Sequence, residues 1–166
     1  MSGARAQIAH SFHFVGAALS LFGLMGVILS QAEGGRRLGL VGAIVAFFGM
    51  VWFAGLGLMS FAALPFIAAH APQLITASGP FWNEPPNPVF LVGLACFVLG
   101  FVILGIALLR GAGLPRWSGL LVLAGAVLST PPPVVVPLLV LTAGGVLLGA
   151  GLAWLGYGLW RKPAAA

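Results

Sequence analysis

Residues 89–109 read VFLVGLACFVLGFVILGIALL, a run of 21 residues without one charged side chain. A helix needs about 20 predominantly apolar residues to cross the hydrocarbon core of a bilayer. The run has that length, and the basic residues Arg110 and Arg116 follow it closely. It therefore predicts a membrane-spanning helix that ends in a basic turn.

The composition extends this interpretation to the whole chain of 166 residues. Apolar residues make up 61% of it and charged residues only 5%, whereas an ordinary soluble domain has about 25% charged residues. There are too few polar side chains to cover a soluble core, and the chain is too apolar to be disordered. A single cysteine excludes a disulfide within the chain. We expect one all-α domain over residues 1–166, an integral membrane helical bundle.

Five apolar stretches are predicted to form its membrane helices. The second is expected to stop at Pro65, because proline cannot continue the hydrogen-bond ladder of a helix. The fourth is short and precedes Pro131-Pro132-Pro133, so we expect irregular backbone to complete it. The predicted spans are residues 10–30, 38–64, 89–109, 117–130 and 138–160.

The only long connection is the segment 65–88, which contains six prolines. It is predicted to be an external loop, with residues 66–75 as a short helix on the membrane surface.

Two alternatives concern the first span. Residues 10–30 would lie on the membrane surface, or they would be removed as a signal peptide after Ala32, and either would leave four spans.

The basic residues indicate how the spans are oriented. Six of the seven Lys and Arg residues lie in 31–37, in 110–116 and at the C-terminus, which five spans place on one side. Cytoplasmic loops of membrane proteins carry an excess of Lys and Arg. We therefore expect an external N-terminus and a cytoplasmic C-terminus. Because the charges fall at the ends of spans rather than in one patch, nucleic acid is not expected as a partner.

Small residues recur at helical spacing among the 25 glycines of the chain. In lipid, such residues let helices approach each other closely. The expected packing positions are Gly16, Gly42, Gly49, Gly100, Gly145, Gly149 and Ala153. The same positions are available for a homo-oligomer or for a larger membrane complex.

Side chains that carry chemistry are few. No Asp, Glu, Lys or Arg lies in the middle of a predicted span, which argues against a proton-coupled transporter or a voltage sensor. There is no G-x-S-x-G motif, and Cys96 lies in an apolar setting typical of a small core residue. We expect no enzymatic activity and no catalytic residue.

Three histidines are the candidates for a ligand site. His10, His13 and His70, with Glu84, lie on the predicted external side and are possible metal ligands, and an axial histidine would also suit a haem or a pigment. Histidines at helix ends are more often amphipathic interface residues, and we prefer that interpretation. No cofactor is predicted.

One segment resembles a known group of proteins. Residues 107–121, ALLRGAGLPRWSGLL, look like the basic LPRW-x-GLL turn of small polytopic bacterial membrane proteins of unknown function. The last predicted span, with Trp154-Leu155-Gly156-Tyr157, is similar to theirs. The resemblance implies a multi-pass protein of the bacterial plasma membrane, and it implies no activity.

These observations predict a non-catalytic membrane protein that contacts lipid. It is expected to be an accessory or scaffold subunit, or a binder of lipid or another apolar molecule. One alternative is a small carrier or permease for an uncharged solute. A further alternative is a membrane subunit that binds haem, pigment or metal through the external histidines.

Overall fold

Helices account for nearly all of the chain that the structure describes. The computed structural model describes residues 3–33, 36–76, 88–111, 114–130 and 137–161, with the backbone alone at residues 3–10, 13, 33, 61 and 138. Within these ranges there are six α-helices and no strand, so the predicted all-α fold is confirmed. The helices are α1 (Gly3–Glu33), α2 (Arg37–Leu58), α3 (Leu64–His70), α4 (Pro88–Leu109), α5 (Arg116–Leu128) and α6 (Leu138–Trp160).

In the part of the chain that the structure describes, four helices are long and apolar enough to cross a membrane, judged by length and composition. They are α2, α4, the segment Phe14–Ala32 of α1 and the segment Leu139–Trp160 of α6. The fifth apolar helix, α5, has 13 residues, or about 20 Å, which is less than a full crossing. The short fourth span was predicted, and its continuation beyond Thr130 lies outside the described residues.

The prediction that the second helix stops at Pro65 is wrong. A π-helical turn, Met59–Ala63, follows α2 without a break, and α3 continues from it to His70. In this turn the N–H of Leu64 donates to the Met59 carbonyl, five residues earlier. A proline ring normally clashes with the carbonyl four residues before it. The chain nevertheless stays helical through Pro65, and the wider π-helical turn lies immediately before it.

The five longer helices form a closed ring in chain order. Each packs on the next, and α6 returns to α1. Consecutive helices are antiparallel: along α2 and α4, for example, Gly42 lies against Leu104 and Gly49 lies against Phe97. The closing pair, α1 and α6, is parallel, because Gly26 near the end of α1 contacts Leu159 at the end of α6.

This alternation collects the described basic side chains at one end of the bundle. The ends of α1, α4 and α6 lie there with the starts of α2 and α5. We call this the arginine end; it carries Arg36, Arg37, Arg110, Arg116 and Arg161. At the opposite end lie the starts of α1, α4 and α6 and the ends of α2 and α5.

Three of the predicted packing glycines lie in the seam between α2 and α4. A Cβ atom on Gly42 would come within 2.6 Å of the Leu104 amide nitrogen, and one on Gly49 would overlap the backbone of Phe97. Gly100 of α4 lies in the same way against the backbone of Ala46. The two backbones therefore touch, and only glycine fits at these three positions.

The packing stripe of α6 differs from the predicted one. Gly145 and Gly149 face open space, as does Gly16 on α1, and Ala153 is exposed. The face that packs on α5 is the neighbouring stripe, which includes Gly144 and Gly151. This stripe also carries the buried side chains Leu148 and Leu155.

Candidate functional site

A cavity of about 310 Å³ lies between the helices in the half of the bundle away from the arginine end. We call it the interhelical cavity. Side chains of α1, α2, α4 and α6 line it, with Ser129 at the end of α5. Its lining residues are Phe12, Gly16, Ala17, Ser20, Met50, Phe53, Phe97, Ser129, Gly145, Leu148, Gly149 and Leu152.

The cavity exists because α1 and α6 diverge. Near the arginine end the two helices touch, and a Cβ on Gly26 would lie 3.5 Å from Leu159 Cδ1. Further along, a Cβ on Gly16, Gly145 or Gly149 would meet no atom within 4 Å. The glycines on both sides of the gap thus leave space that none of the described side chains fills.

Aromatic side chains form the back wall. Phe53 of α2 stacks on Phe97 of α4 with ring centroids 5.0 Å apart, and Phe97 meets Phe101 edge-on at 5.1 Å. Phe97 and Phe101 belong to the buried core of the bundle, as does Met50 beside them. Because each ring is held by the next, the wall is fixed by the core rather than by a loop.

The described lining residues contribute two polar side-chain groups, both serine hydroxyls. Ser20 Oγ donates to the Gly16 carbonyl at 2.8 Å, and Ser129 Oγ donates to the Ala126 carbonyl at 3.3 Å. Both hydroxyl protons are therefore used within the chain, which leaves the oxygens as acceptors. Among the side chains that the structure describes, none that lines the cavity is ionisable. The arrangement suits an uncharged, largely apolar molecule.

The candidate histidines lie on α1 and α3, and the described side chains do not bring them together in one site. His70 on α3 is exposed; its ring stacks on Phe66 with centroids 4.2 Å apart, and its Nδ1–H donates to the Phe66 carbonyl at 3.0 Å. His10 and His13 lie in the first half of α1, toward the same end of the bundle, and only their backbone is described. Glu84 lies outside the described residues.

Metal binding by these residues stays a prediction. Among the residues that the structure describes, no group of three or more His, Cys, Asp or Glu side chains comes together. Cys96, the single cysteine, is half-buried on α4 and is a free thiol.

Sequence reasoning did not find the interhelical cavity. It identified Gly16, Gly145 and Gly149, but as packing positions. Small residues at a spacing of four are expected both where two helices touch and where a gap is left between them. The distinguishing signal is the partner across the gap, and α1 and α6 are far apart in sequence.

Comparison with protein-family models, with curated proteins and with solved structures finds no match for this chain. The resemblance of residues 107–121 to a bacterial membrane family therefore stays a prediction. The fold and the site define a small helical bundle with membrane-length apolar helices and an apolar interhelical cavity.

Proposed function

We propose that this chain is a multi-pass protein of the bacterial plasma membrane that binds the acyl chain of a lipid in the interhelical cavity. In this proposal five helices cross or enter the bilayer, the N-terminus is external, and the arginine end faces the cytoplasm. The observation that carries the binding function is the gap between α1 and α6, which has an aromatic back wall and glycine sides and whose described lining residues are all uncharged.

The outer surface of the bundle supports the membrane location. Phe22 and Leu139 are each 79% exposed on α1 and α6, and they belong to a large set of exposed apolar side chains on every long helix. Soluble monomers rarely expose contiguous apolar surface of that extent. The basic side chains at the arginine end fit the cytoplasmic side of a membrane protein.

The cavity itself favours an acyl chain over a larger ligand. Pockets for small molecules generally measure about 300–1,000 Å³, and this cavity lies at the lower limit of that range. Its apolar walls suit a methylene chain, and its position between two membrane helices gives lipid a lateral path to it.

The closed arginine end argues against the carrier alternative. A carrier needs a route from the cavity to the other side of the membrane. Toward the arginine end the core side chains Leu24, Val27 and Leu155 are fully buried, and Gly26 contacts Leu159. A solute in the cavity would therefore meet a packed core rather than a path.

Filling the cavity with a new side chain tests the proposal. The chain is reconstituted in nanodiscs that contain phosphatidylcholine with a photoactivatable diazirine in the acyl chain, and the crosslinked peptides are mapped by mass spectrometry. We expect the crosslinks to be concentrated on residues 12–20 of α1 and on the part of α6 around Gly149. Gly149→Leu is expected to reduce them by at least about tenfold, equivalent to 1.4 kcal/mol.

Gly156→Leu is the matched control. Gly156 lies on α6 outside the cavity, and a Cβ there also meets no atom within 4 Å. It is expected to leave the crosslinking pattern unchanged. Equal labelling of both variants, or labelling spread evenly over all long helices, would contradict the proposal. Native mass spectra that show a second polypeptide in place of lipid would instead assign the gap to a partner helix.

A further inference from the structure

A second concave site lies at the arginine end. A groove of about 270 Å³ opens there between the start of α2 and the end of α4. We call it the basic groove. It is lined by Arg36, Arg37, Leu38, Gly39, Ala107, Arg110 and Gly111.

The close seam between α2 and α4 brings these arginines together. Because Gly42 lies against the backbone of Leu104, the start of α2 and the end of α4 are held side by side. Arg36 and Arg37 line the groove at the start of α2, and Arg110 lines it directly after the end of α4. The convergence thus depends on the most tightly packed pair of helices in the bundle.

A fourth arginine borders the groove through the turn after α4. Gly111 ends the helix with φ +86°, and its N–H donates to the Leu108 carbonyl at 3.0 Å. Arg116, which begins α5, lays its guanidinium over this glycine, with Nη2 3.4 Å from the position of a Cβ on Gly111. Any residue other than glycine at position 111 would have a strained backbone conformation. Its side chain would also crowd this guanidinium.

The charge in and beside the groove exceeds what the chain can neutralise. Three arginines line the groove and a fourth borders it, whereas the entire chain contains two acidic residues. Arg36 and Arg37 also lie at the start of α2, where the helix dipole disfavours positive charge. An external anion in the groove would offset both unfavourable terms. Guanidinium groups suit phosphate in particular, because their N–H groups match two phosphate oxygens at once.

The surroundings indicate what carries the phosphate. Trp117 at the start of α5 and Trp160 at the end of α6 are 68% and 82% exposed at the same end of the bundle. Exposed tryptophans of membrane proteins collect at the level of the lipid headgroups. The apolar residues Leu38 and Ala107 line the groove beside the arginines. A ligand with a phosphate and an adjoining apolar part fits this combination.

We propose that the basic groove binds the phosphate-bearing headgroup of an anionic lipid. The proposal rests on the membrane location proposed above, but it does not depend on the interhelical cavity. The two sites are separate, since Arg37 and Met50 lie 13 positions apart on α2, or about 20 Å along the helix.

Lipid titration followed by native mass spectrometry tests this assignment. The purified full chain in mild detergent is titrated with dioctanoyl phosphatidylglycerol, with dioctanoyl phosphatidylcholine and with inorganic phosphate. We expect the phosphatidylglycerol to bind more tightly than both others. Arg110→Gln is expected to weaken its binding roughly fivefold, the effect of one arginine near an anionic surface.

Arg161→Gln is the control for a general loss of charge. Arg161 is at the same end of the bundle but outside the groove, with its guanidinium 4.7 Å from the centre of the Tyr157 ring. It is expected to change the affinity less than about twofold, since the charge lies away from the site. Equal weakening by both variants would overturn the proposal and leave the arginines a role in orientation only.

Arg110→Lys separates binding from orientation. Lysine preserves the charge that orients a membrane protein but cannot make the paired hydrogen bonds of arginine. We expect the lysine variant to insert normally and to bind phosphatidylglycerol less tightly than the wild type. If Arg110→Gln fails to fold, Arg110→Lys still tests the headgroup site. An affinity for phosphatidylglycerol equal to that of the wild type would contradict the site.

The titrations with inorganic phosphate and with phosphatidylcholine identify the molecule that carries the bound phosphate. Inorganic phosphate that binds as tightly as the lipid would overturn the lipid assignment, and so would equal binding of phosphatidylcholine. Crosslinking in the interhelical cavity is a separate measurement in the other half of the bundle. A failure of one site is therefore distinguishable from a failure of the other.

Discussion

Glycine has two opposite uses in this chain. At Gly42, Gly49 and Gly100 the missing side chain lets the backbones of α2 and α4 touch. At Gly145 and Gly149 the missing side chain leaves a cavity open. The residue type and its spacing were visible in the sequence in both cases. The use was not, because it depends on whether another helix lies opposite.

Alanine substitutions on α2 distinguish a contact glycine from an open one. Gly49→Ala introduces a methyl group that overlaps the Phe97 backbone, so α2 and α4 must separate. We expect the free energy of unfolding in detergent to fall by about 1–3 kcal/mol, as for other overpacked sites. Unfolding followed by circular dichroism during titration with a denaturing detergent measures it.

Gly55→Ala on the same helix is the comparison, because a Cβ there meets no atom within 4 Å. We expect its stability to equal that of the wild type or to exceed it slightly, since alanine favours the helix over glycine. Equal destabilisation by the two substitutions would show that α2 and α4 do not approach at Gly49.

Among the helices, those with clear end signals were predicted nearly as observed. The predicted spans 89–109, 117–130 and 138–160 correspond to α4, α5 and α6 within two residues at each end. Proline or arginine at their boundaries supplied the signal. The end of α2 was mispredicted because proline is a strong signal for the end of a helix, whereas here a π-helical turn precedes it and the chain stays helical. The sequence of Met59–Ala63 contains no feature that predicts such a turn.

Pro65→Ala tests the origin of the π-helical turn. Alanine restores a backbone N–H and removes the ring that would meet the Phe61 carbonyl in a regular α-helix. We expect the turn at Met59–Ala63 to become α-helical and better hydrogen-bonded. Hydrogen–deuterium exchange in nanodiscs should slow over residues 59–66.

The exchange of α4 provides the internal reference for that variant, because α4 is outside the substituted segment. It is expected to stay unchanged. Unaltered exchange over residues 59–66 would mean that packing around the turn, rather than Pro65, holds the π-helical conformation.

The ring of helices is closed by the contact between α1 and α6, and no pattern in the sequence predicts that contact. Charge and hydropathy predicted an odd number of helices with the basic turns on one side, and the five longer helices are arranged in that way. An odd number makes the first and last helices parallel neighbours when the ring closes. The interhelical cavity follows from the divergence of this pair, so it was beyond pattern reasoning about single segments.

The neighbourhood of α1 and α6 is therefore the feature on which the cavity depends. If residues 10–30 were removed, or lay on the membrane surface, the gap between the two helices would not exist. Paired cysteines test it in membranes. In a Cys96→Ala background, Gly26→Cys is combined with Leu159→Cys near the arginine end, or with Leu139→Cys at the opposite end of α6.

Crosslinking with a short bismaleimide in native membranes is the decisive measurement. We predict that the pair at 26 and 159 joins efficiently, because a Cβ on Gly26 lies 3.5 Å from the Leu159 side chain. The pair at 26 and 139 should not join, since 20 positions of α6, about 30 Å, separate residues 139 and 159. Crosslinking of the second pair in place of the first, or of neither pair, would contradict the parallel closure and the cavity that depends on it.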